Sequence, residues 1–358
     1  MAHSQPKSML TRRQFVRQSV ISGGLITLSS SLALGDSSPR SGKTDENPFQ
    51  YDLSRFQKTP PELLHYEEVG RISSPHPEPA RITVGPDDRI YLAASQYVTV
   101  FGRNRAVELD LALRNRASCI TVNRAGHIYV AMRDVVEVFD RNGQHQGTWP
   151  SFPAKTWITG MTSDHGTVFL ADAGNRILLK CDETGRLIGR IGAKDPDRGI
   201  PGFIIPSPFF DVEMHPDGLL RVTNPGRHRV EAYTVDGDFE MAWGKPTANM
   251  EGFCGCCNPI NLALTPDGRL VTCEKGLPRV KIYRRDGQLE SVVAGPEAFQ
   301  ENVRACSGGP GSDCRRGGLD AAVDSQNRIY VLDLVRADIR VMAHKPNTRP
   351  PAENVKPG

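Results

Sequence analysis

The stretch "LADAGNRILLKCDETGRLIGRIG", residues 170–192, decides the fold. An apolar run ends at Asp172, a Gly174-Asn175-Arg176 corner follows, and a second apolar run leads to a tight turn around Gly185 and a third run that closes at Ile191. Short β runs separated by turn residues are what this spacing predicts. Working outward, the turn that opens such a run recurs six times: "PDDRIYLA" from 86, "NRAGHIYVA" from 123, "SDHGTVFLAD" from 163, "HPDGLLRVTN" from 215, "TPDGRLVTCE" from 265 and "DSQNRIYVLD" from 324. An apolar run such as "CITV" precedes each copy. One or two more follow it, with Asn142-Gly143, Asp236-Gly237 and Asp286-Gly287 as expected positive-φ hairpin turns.

Groups of four short strands repeating along a chain specify an all-β, six-bladed β-propeller over residues 62–345. The copies resemble NHL repeats. Asp172, Asn175 and Arg176 fall on that family's Asp, Asn and Arg positions, with Asn224, His228 and Arg229, Glu274 and Arg279, and Asp333 and Arg340 as weaker matches in later copies. The resemblance implies the fold; NHL-type propellers include lyases, hydrolase-like relatives and plain binding scaffolds, so it does not imply one activity. The last copy ends at "IRVMAH" without an outermost strand, while "LLHYEEVGRI" (63–72) reads like the outer strand "GRLIGRIG". The N-terminal segment is therefore expected to close the last blade and cover its edge.

Spacing between copies widens after the third, and the extra residues fall in the blade-to-blade connections "AKDPDRGIPGFIIPSP", "KPTANMEGFCGCCNP" and "PEAFQENVRACSGGPGSDCRRGG". Long loops on a rigid scaffold are where function concentrates. Cys254, Cys256 and Cys257 lie in one such connection and Cys306 and Cys314 in the next; Cys273 and Cys119 are expected near the same face and Cys181 on the opposite one. Three chemistries compete. Thiolates from Cys254, Cys256, Cys257, Cys306 and Cys314, with Cys273 nearby, could bind an iron–sulfur cluster or a thiolate-bound metal. The same residues could form disulfides that pin the loops. One thiol could act as a nucleophile, with His76 or His228 as its base.

Counting back from each turn places Arg81, Cys119, Thr159, Asp211, Asn261 and Asp320 at one level near the channel mouth. Asp211, Asn261 and Asp320 could bind a cation or an amine, or bond to the adjacent loops. Resemblance to NHL-type lyases would imply a histidine-bound zinc, but His127, His165, His215 and His145 fall in turns of the opposite face and His3 lies near the N-terminus. A lactonase-like hydrolase would need carboxylates and an Asn around the channel, which Asp211, Asn261 and Asp320 supply by type.

The chain opens with "TRRQFVRQSVISGGLITLSSSLALG" (11–35), whose Arg12-Arg13 pair and Ser- and Gly-interrupted apolar run resemble a twin-arginine signal. A periplasmic or extracytoplasmic location and a twin-arginine translocase partner follow as expectations. So does a mature protein without a membrane span. Residues 36–61 read as a flexible linker and 346–358 as a disordered tail. The net charge is +3, and removing the leader's Lys7, Arg12, Arg13 and Arg17 leaves about −1, too little basic field for a nucleic-acid partner. The expected function is a cysteine-rich metal or redox site with an electron-transfer partner. The alternatives are a disulfide-stapled scaffold for a small molecule or protein, and a lyase or lactonase-like enzyme.

Overall fold

A computed structural model of the chain describes residues 54–306 and 317–346. The leader, most of the expected linker, the tail beyond residue 346 and Cys314 lie outside the described residues. The described residues form six four-stranded antiparallel sheets. Blade 1 is β2 (Pro79–Val84), β3 (Ile90–Ala94), β4 (Tyr97–Phe101) and β5 (Val107–Ala112); blade 2 is β6 (Cys119–Val122), β7 (Ile128–Met132), β8 (Val135–Phe139) and β9 (His145–Thr148). Blade 3 is β10 (Ile158–Asp164), β11 (Thr167–Asp172), β12 (Ile177–Asp182) and β13 (Leu187–Ile191); blade 4 is β14 (Val212–Met214), β15 (Leu220–Asn224), β16 (Arg229–Tyr233) and β17 (Phe239–Trp243). Blade 5 is β18 (Asn261–Leu264), β19 (Leu270–Cys273), β20 (Val280–Tyr283) and β21 (Leu289–Ala294); blade 6 is β22 (Leu319–Val323), β23 (Ile329–Asp333), β24 (Asp338–His344) and β1 (Tyr66–Ser73). The first strands β2, β6, β10, β14, β18 and β22 each touch the next and the last touches β2, which closes a six-bladed propeller around a channel.

Burial explains why the second strand of each blade is the most legible in the sequence. In β11, Val168 and Leu170 pack towards blade 2 while Phe169 and Ala171 pack towards blade 4. With period-2 side chains buried on both faces, such a strand has no polar side and reads as a continuous apolar run. The outer strand β9, "HQGT", is mostly exposed and reads as polar. The core is accordingly divided into wedges between adjacent blades, such as Val271, Val280, Leu319 and Val331 between blades 5 and 6.

The hairpin turns differ from the expectation in one respect. Gly143, Gly237 and Gly287 have positive φ, but Asn142, Asp236 and Asp286 do not. Each hairpin carries a register shift, between Val138/Phe139, Ala232/Tyr233 and Ile282/Tyr283. A type I turn ending in a left-handed glycine and a bulge accounts for this. In the first, Asp140 Oδ1 accepts the Asn142 and Gln144 amides at 2.9 and 2.8 Å.

The predicted closure is present. Strand β1 pairs with β24 from Tyr66 opposite His344 to Ser73 opposite Asp338, and Arg71 Nη1 donates to Asp338 Oδ2 at 3.0 Å. Just upstream, at the end of the expected linker, Thr59 is buried and donates to Glu297 Oε2 at 3.2 Å, and Leu64 bridges Val292. Among the described residues no helix is long and apolar enough to cross a membrane. Ile72 on β1 is buried with Ile339 and Val341 of blade 6. Ile72→Ala should therefore lower the unfolding free energy by about 2–4 kcal/mol in chemical denaturation, as for an internal strand; a cost below about 0.5 kcal/mol would show that the closing strand does not contribute.

Candidate functional site

The long connections lie on the face that also carries the second-to-third strand corners, and one register position fixes them. The residue that ends or follows the second strand is Ala94 in blade 1 and Met132 in blade 2, but Asp172, Asn224, Glu274 and Asp333 in blades 3 to 6. All four polar side chains are fully buried. Each grips the connection entering its own blade. Asp172 Oδ1 accepts the Trp157 amide at 3.0 Å, Asn224 Oδ1 the Ile204 amide at 3.0 Å, and Glu274 Oε2 the Cys254 amide at 3.2 Å. Asp333 Oδ1 accepts Asn302 Nδ2 at 2.6 Å from the short helix α1 (Gln300–Ala305). These are the positions where the sequence resembles the NHL pattern. Asp172, Asn224 and Glu274 satisfy loop backbone groups that burial would otherwise leave unpaired, and Asp333 holds the Asn302 side chain.

The cysteine loop has the most elaborate frame. Glu274 meets Arg279 Nη2 at 2.7 Å and Lys281 Nζ at 2.8 Å, with all three side chains fully buried. Arg279 Nη1 also donates to Ala248 O at 2.8 Å, and Lys281 Nζ to Gly252 O at 2.6 Å and Met250 O at 3.0 Å. The surplus positive charge of the triad is thus spread over loop carbonyls, which is what makes its burial tolerable. Burial lowers Lys281 to about 8, against the pull of Glu274. Downstream, Asn258 exchanges two hydrogen bonds with Lys275 at 2.9 Å and donates to Cys254 O, while His228 Nε2 donates to Gly255 O at 2.6 Å. Within this frame Cys254 is half-buried, Cys256 exposed and Cys257 buried, and the sulfurs of Cys256 and Cys257 stand 3.5 Å apart. Burial raises the Cys254 thiol, with Arg279 acting in the opposite direction.

The structure brings Cys254, Cys256 and Cys257 together on one loop and places Cys306 at the end of α1. Cys273 is elsewhere. It is fully buried in the apolar wedge between blades 5 and 6, because β19 is an inner strand with no solvent-facing side. Cys119 and Cys181 are buried between blades 2 and 3. No disulfide joins Cys119, Cys181, Cys254, Cys257 or Cys273. Among the described residues no three His, Cys, Asp or Glu side chains gather in a metal-holding group. The two histidines considered as thiol bases are committed otherwise: His228 to Gly255 O, and His76 to Asp110 at 2.8 Å while stacked on Tyr97.

The channel residues converge as the sequence level suggests, with Arg81 as their common partner. Its Nη2 donates to Asp211 Oδ1 at 2.5 Å, its Nη1 to Asn261 Oδ1, and its Nε lies 3.4 Å from Asp320 Oδ2. Asp320 Oδ2 accepts the Ile82 amide at 2.8 Å, and Asp211 Oδ2 the Leu262 amide at 2.9 Å. Blade 1 is thereby tied across the channel to blades 4, 5 and 6. Burial raises the Asp320 carboxyl to about 6, Arg81 opposing and Asp211 adding to the shift. Blade 3 contributes Gly160, not Thr159, to this level, because β10 bulges between Ile158 and Gly160. A side chain at Gly160 would collide with the Asp211 carboxylate, so the glycine makes room for it. Thr159 instead donates to Phe210 O at 2.8 Å. One residue escaped the sequence reading. Glu213 is two positions beyond Asp211 on the same strand face, accepts Thr162 Oγ1 at 3.2 Å, and is raised to about 8 by burial and by Asp211. The period-2 spacing from Asp211 was the available signal.

No family model matches the chain, and no curated protein matches it by sequence. Solved structures match it by fold. The fold is that of the streptogramin lyase propellers. Virginiamycin B lyase from Staphylococcus aureus aligns at a TM-score of 0.53 and 11% identity over 78% of this chain and 100% of that one. A streptogramin B lyase aligns at 0.55 and 12% over 78% and 97%. A structural genomics protein of unknown function from Bacteroides thetaiotaomicron aligns at 0.54 and 11% over 78% and 72%. At these identities the likeness concerns the fold.

The cross-channel network predicts a pH-dependent defect. Arg81→Met leaves Asp211 and Asp320 as buried carboxylates without their cation, a loss of about 3–5 kcal/mol. Asp320, already raised to about 6 by burial with Arg81 opposing, binds a proton still more tightly in the folded variant than in the unfolded chain, so acid removes its uncompensated charge. The loss relative to the parent protein, measured by chemical denaturation, should be largest at pH 8 and smaller at pH 5. Equal losses at both would show that the network acts by packing alone.

Proposed function

We propose that the protein is an exported propeller whose working surface is the face of long connections, with the Cys254–Cys257 loop as a thiolate site for a soft metal ion or an iron–sulfur redox centre. The observation that carries this reading is the pair Cys256 and Cys257, with sulfurs 3.5 Å apart and Cys256 exposed, on a loop held by the Glu274, Arg279 and Lys281 triad. Adjacent soft donors on a pre-ordered frame suit a thiophilic metal. A four-thiolate centre would need ligands beyond Cys254, Cys256 and Cys257, and the candidates are Cys306 and Cys314 of the neighbouring connection. The twin-arginine-like leader supports the reading, since that route exports folded proteins. Protein exported through its own leader and purified without oxygen should carry bound metal or iron with acid-labile sulfide, and Cys256→Ser with Cys257→Ser should lose it. Metal-free protein whose loop thiols all react with a thiol reagent would overturn the proposal.

A second reading, lyase chemistry in the channel, draws on the fold likeness and on Glu213, a carboxyl raised to about 8 by burial and Asp211, which suits general acid–base chemistry at mildly alkaline pH. Quinupristin is the ligand in one of the similar lyase structures. The lyase reading expects the protein to convert quinupristin to a product separable from it by liquid chromatography, with the rate lost in Glu213→Gln. Unchanged quinupristin would remove this substrate from the reading.

A further inference from the structure

On the face of the long connections, just before the first strand of blade 3, Trp157 is 40% exposed. The other two tryptophans are not presented in this way: Trp149 is buried, and Trp243 lies 4.5 Å from the Tyr283 ring. The backbone that carries Trp157 is fixed from both sides. Its amide donates to Asp172 Oδ1 at 3.0 Å, its carbonyl accepts the Ala173 amide at 2.8 Å, and the next amide, Ile158, donates to Arg133 O at 2.8 Å. Thr156, buried, accepts Asn175 Nδ2 at 3.3 Å. A side chain at Gly174 would collide with Lys155 O, so the corner 173–176 lies directly on the Lys155–Trp157 backbone.

A single exposed apolar side chain is ordinary on a protein surface. Its surroundings here are not. Three exposed cations flank the loop: Arg133 from the corner of blade 2, with its guanidinium 5.6 Å over the indole, Lys155 two residues upstream, and Arg176 from the corner of blade 3. Among the described residues no carboxylate pairs with any of them. Other cations of the same face do have such partners, Arg114 with Glu137 at 3.0 Å, Arg116 with Glu78 at 2.8 Å and Arg336 with Glu301 at 2.9 Å. Asp172 is fully buried and accepts the Trp157 and Asn175 amides, and Asp134 forms no pair with these cations.

The face of an indole is electron-rich and attracts C–H groups, whereas the cations around it attract an anion. A hexuronate ring carries both features, an apolar C–H face and a carboxylate at its edge. An acidic peptide would meet the cations but brings no flat apolar face to the ring. We propose that Trp157 is the platform of a binding site for an acidic saccharide, a hexuronate ring stacked on the indole with its carboxylates held by Arg133, Lys155 and Arg176. The site uses no cysteine, so it stands whether or not the thiol loop holds a metal.

Tryptophan fluorescence of the full-length protein, titrated with tetragalacturonate and with tetramannuronate, tests this. At least one of the two should bind saturably and change the emission, and its affinity should fall as sodium chloride is raised from about 20 to about 200 mM. Trp157→Ala, read by calorimetry, should weaken binding at least about tenfold while the circular dichroism spectrum is retained. Lys155→Gln should weaken it at least about threefold. If the Trp157 variant does not fold, Lys155→Gln and the salt series still decide. Failure of both acidic tetramers to bind, neutral maltotetraose binding as tightly, tetraglutamate binding as tightly, or unchanged affinity in Trp157→Ala would each overturn the proposal.

Discussion

The propeller depends on one guanidinium. Arg81 leaves the first blade and reaches Asp211, Asn261 and Asp320 of the fourth, fifth and sixth, so a single side chain spans the axis around which all blades are arranged. The backbone takes part as well, because Asp211 and Asp320 also accept amides from the first strands of neighbouring blades. A ring of sheets touching only their neighbours has no central core, and its apolar contacts are divided among wedges. The ionic layer supplies the cross-ring connection that these wedges lack. Its burial keeps the attraction strong and makes each partner costly to remove.

The same economy governs the face of the long connections. A buried polar residue at the end of the second strand holds the connection that precedes it, through backbone amides at Asp172, Asn224 and Glu274 in blades 3 to 5 and through the Asn302 side chain at Asp333 in blade 6. In blade 5 this capture grows into the Glu274, Arg279 and Lys281 triad, and the loop it orders is the one that carries the three cysteines. Loop order and thiol placement are therefore one problem with one solution.

Much of this was legible in the chain. The six-fold recurrence of turn and apolar run, the closing strand around "YEEVGRI" and the shared level of Arg81, Asp211, Asn261 and Asp320 all follow from period-2 patterning and turn chemistry, which are local. The position of Asp172 and its equivalents was visible as a repeat resemblance, but its role as a loop anchor was not. That role is defined by which backbone group approaches from the preceding connection. Positive φ was expected at Asn142-Gly143, Asp236-Gly237 and Asp286-Gly287 and is found at the glycines alone, because Asn-Gly and Asp-Gly suit both a mirror-image turn and a type I turn with a bulge.

What the sequence determined by itself was the architecture: all-β, six blades, the last one closed by the N-terminal strand, with cysteines concentrated in two adjacent connections. The tertiary structure decided which polar groups meet. It sent Cys273 into an interblade wedge, put Gly160 in place of Thr159 at the channel level through a bulge in β10, and gathered Asp211, Asn261 and Asp320 around Arg81. The reason is physical. Strand and turn formation depend on neighbours along the chain, whereas burial and ionic pairing depend on groups more than a hundred residues apart, as Arg81 and Asp211 are.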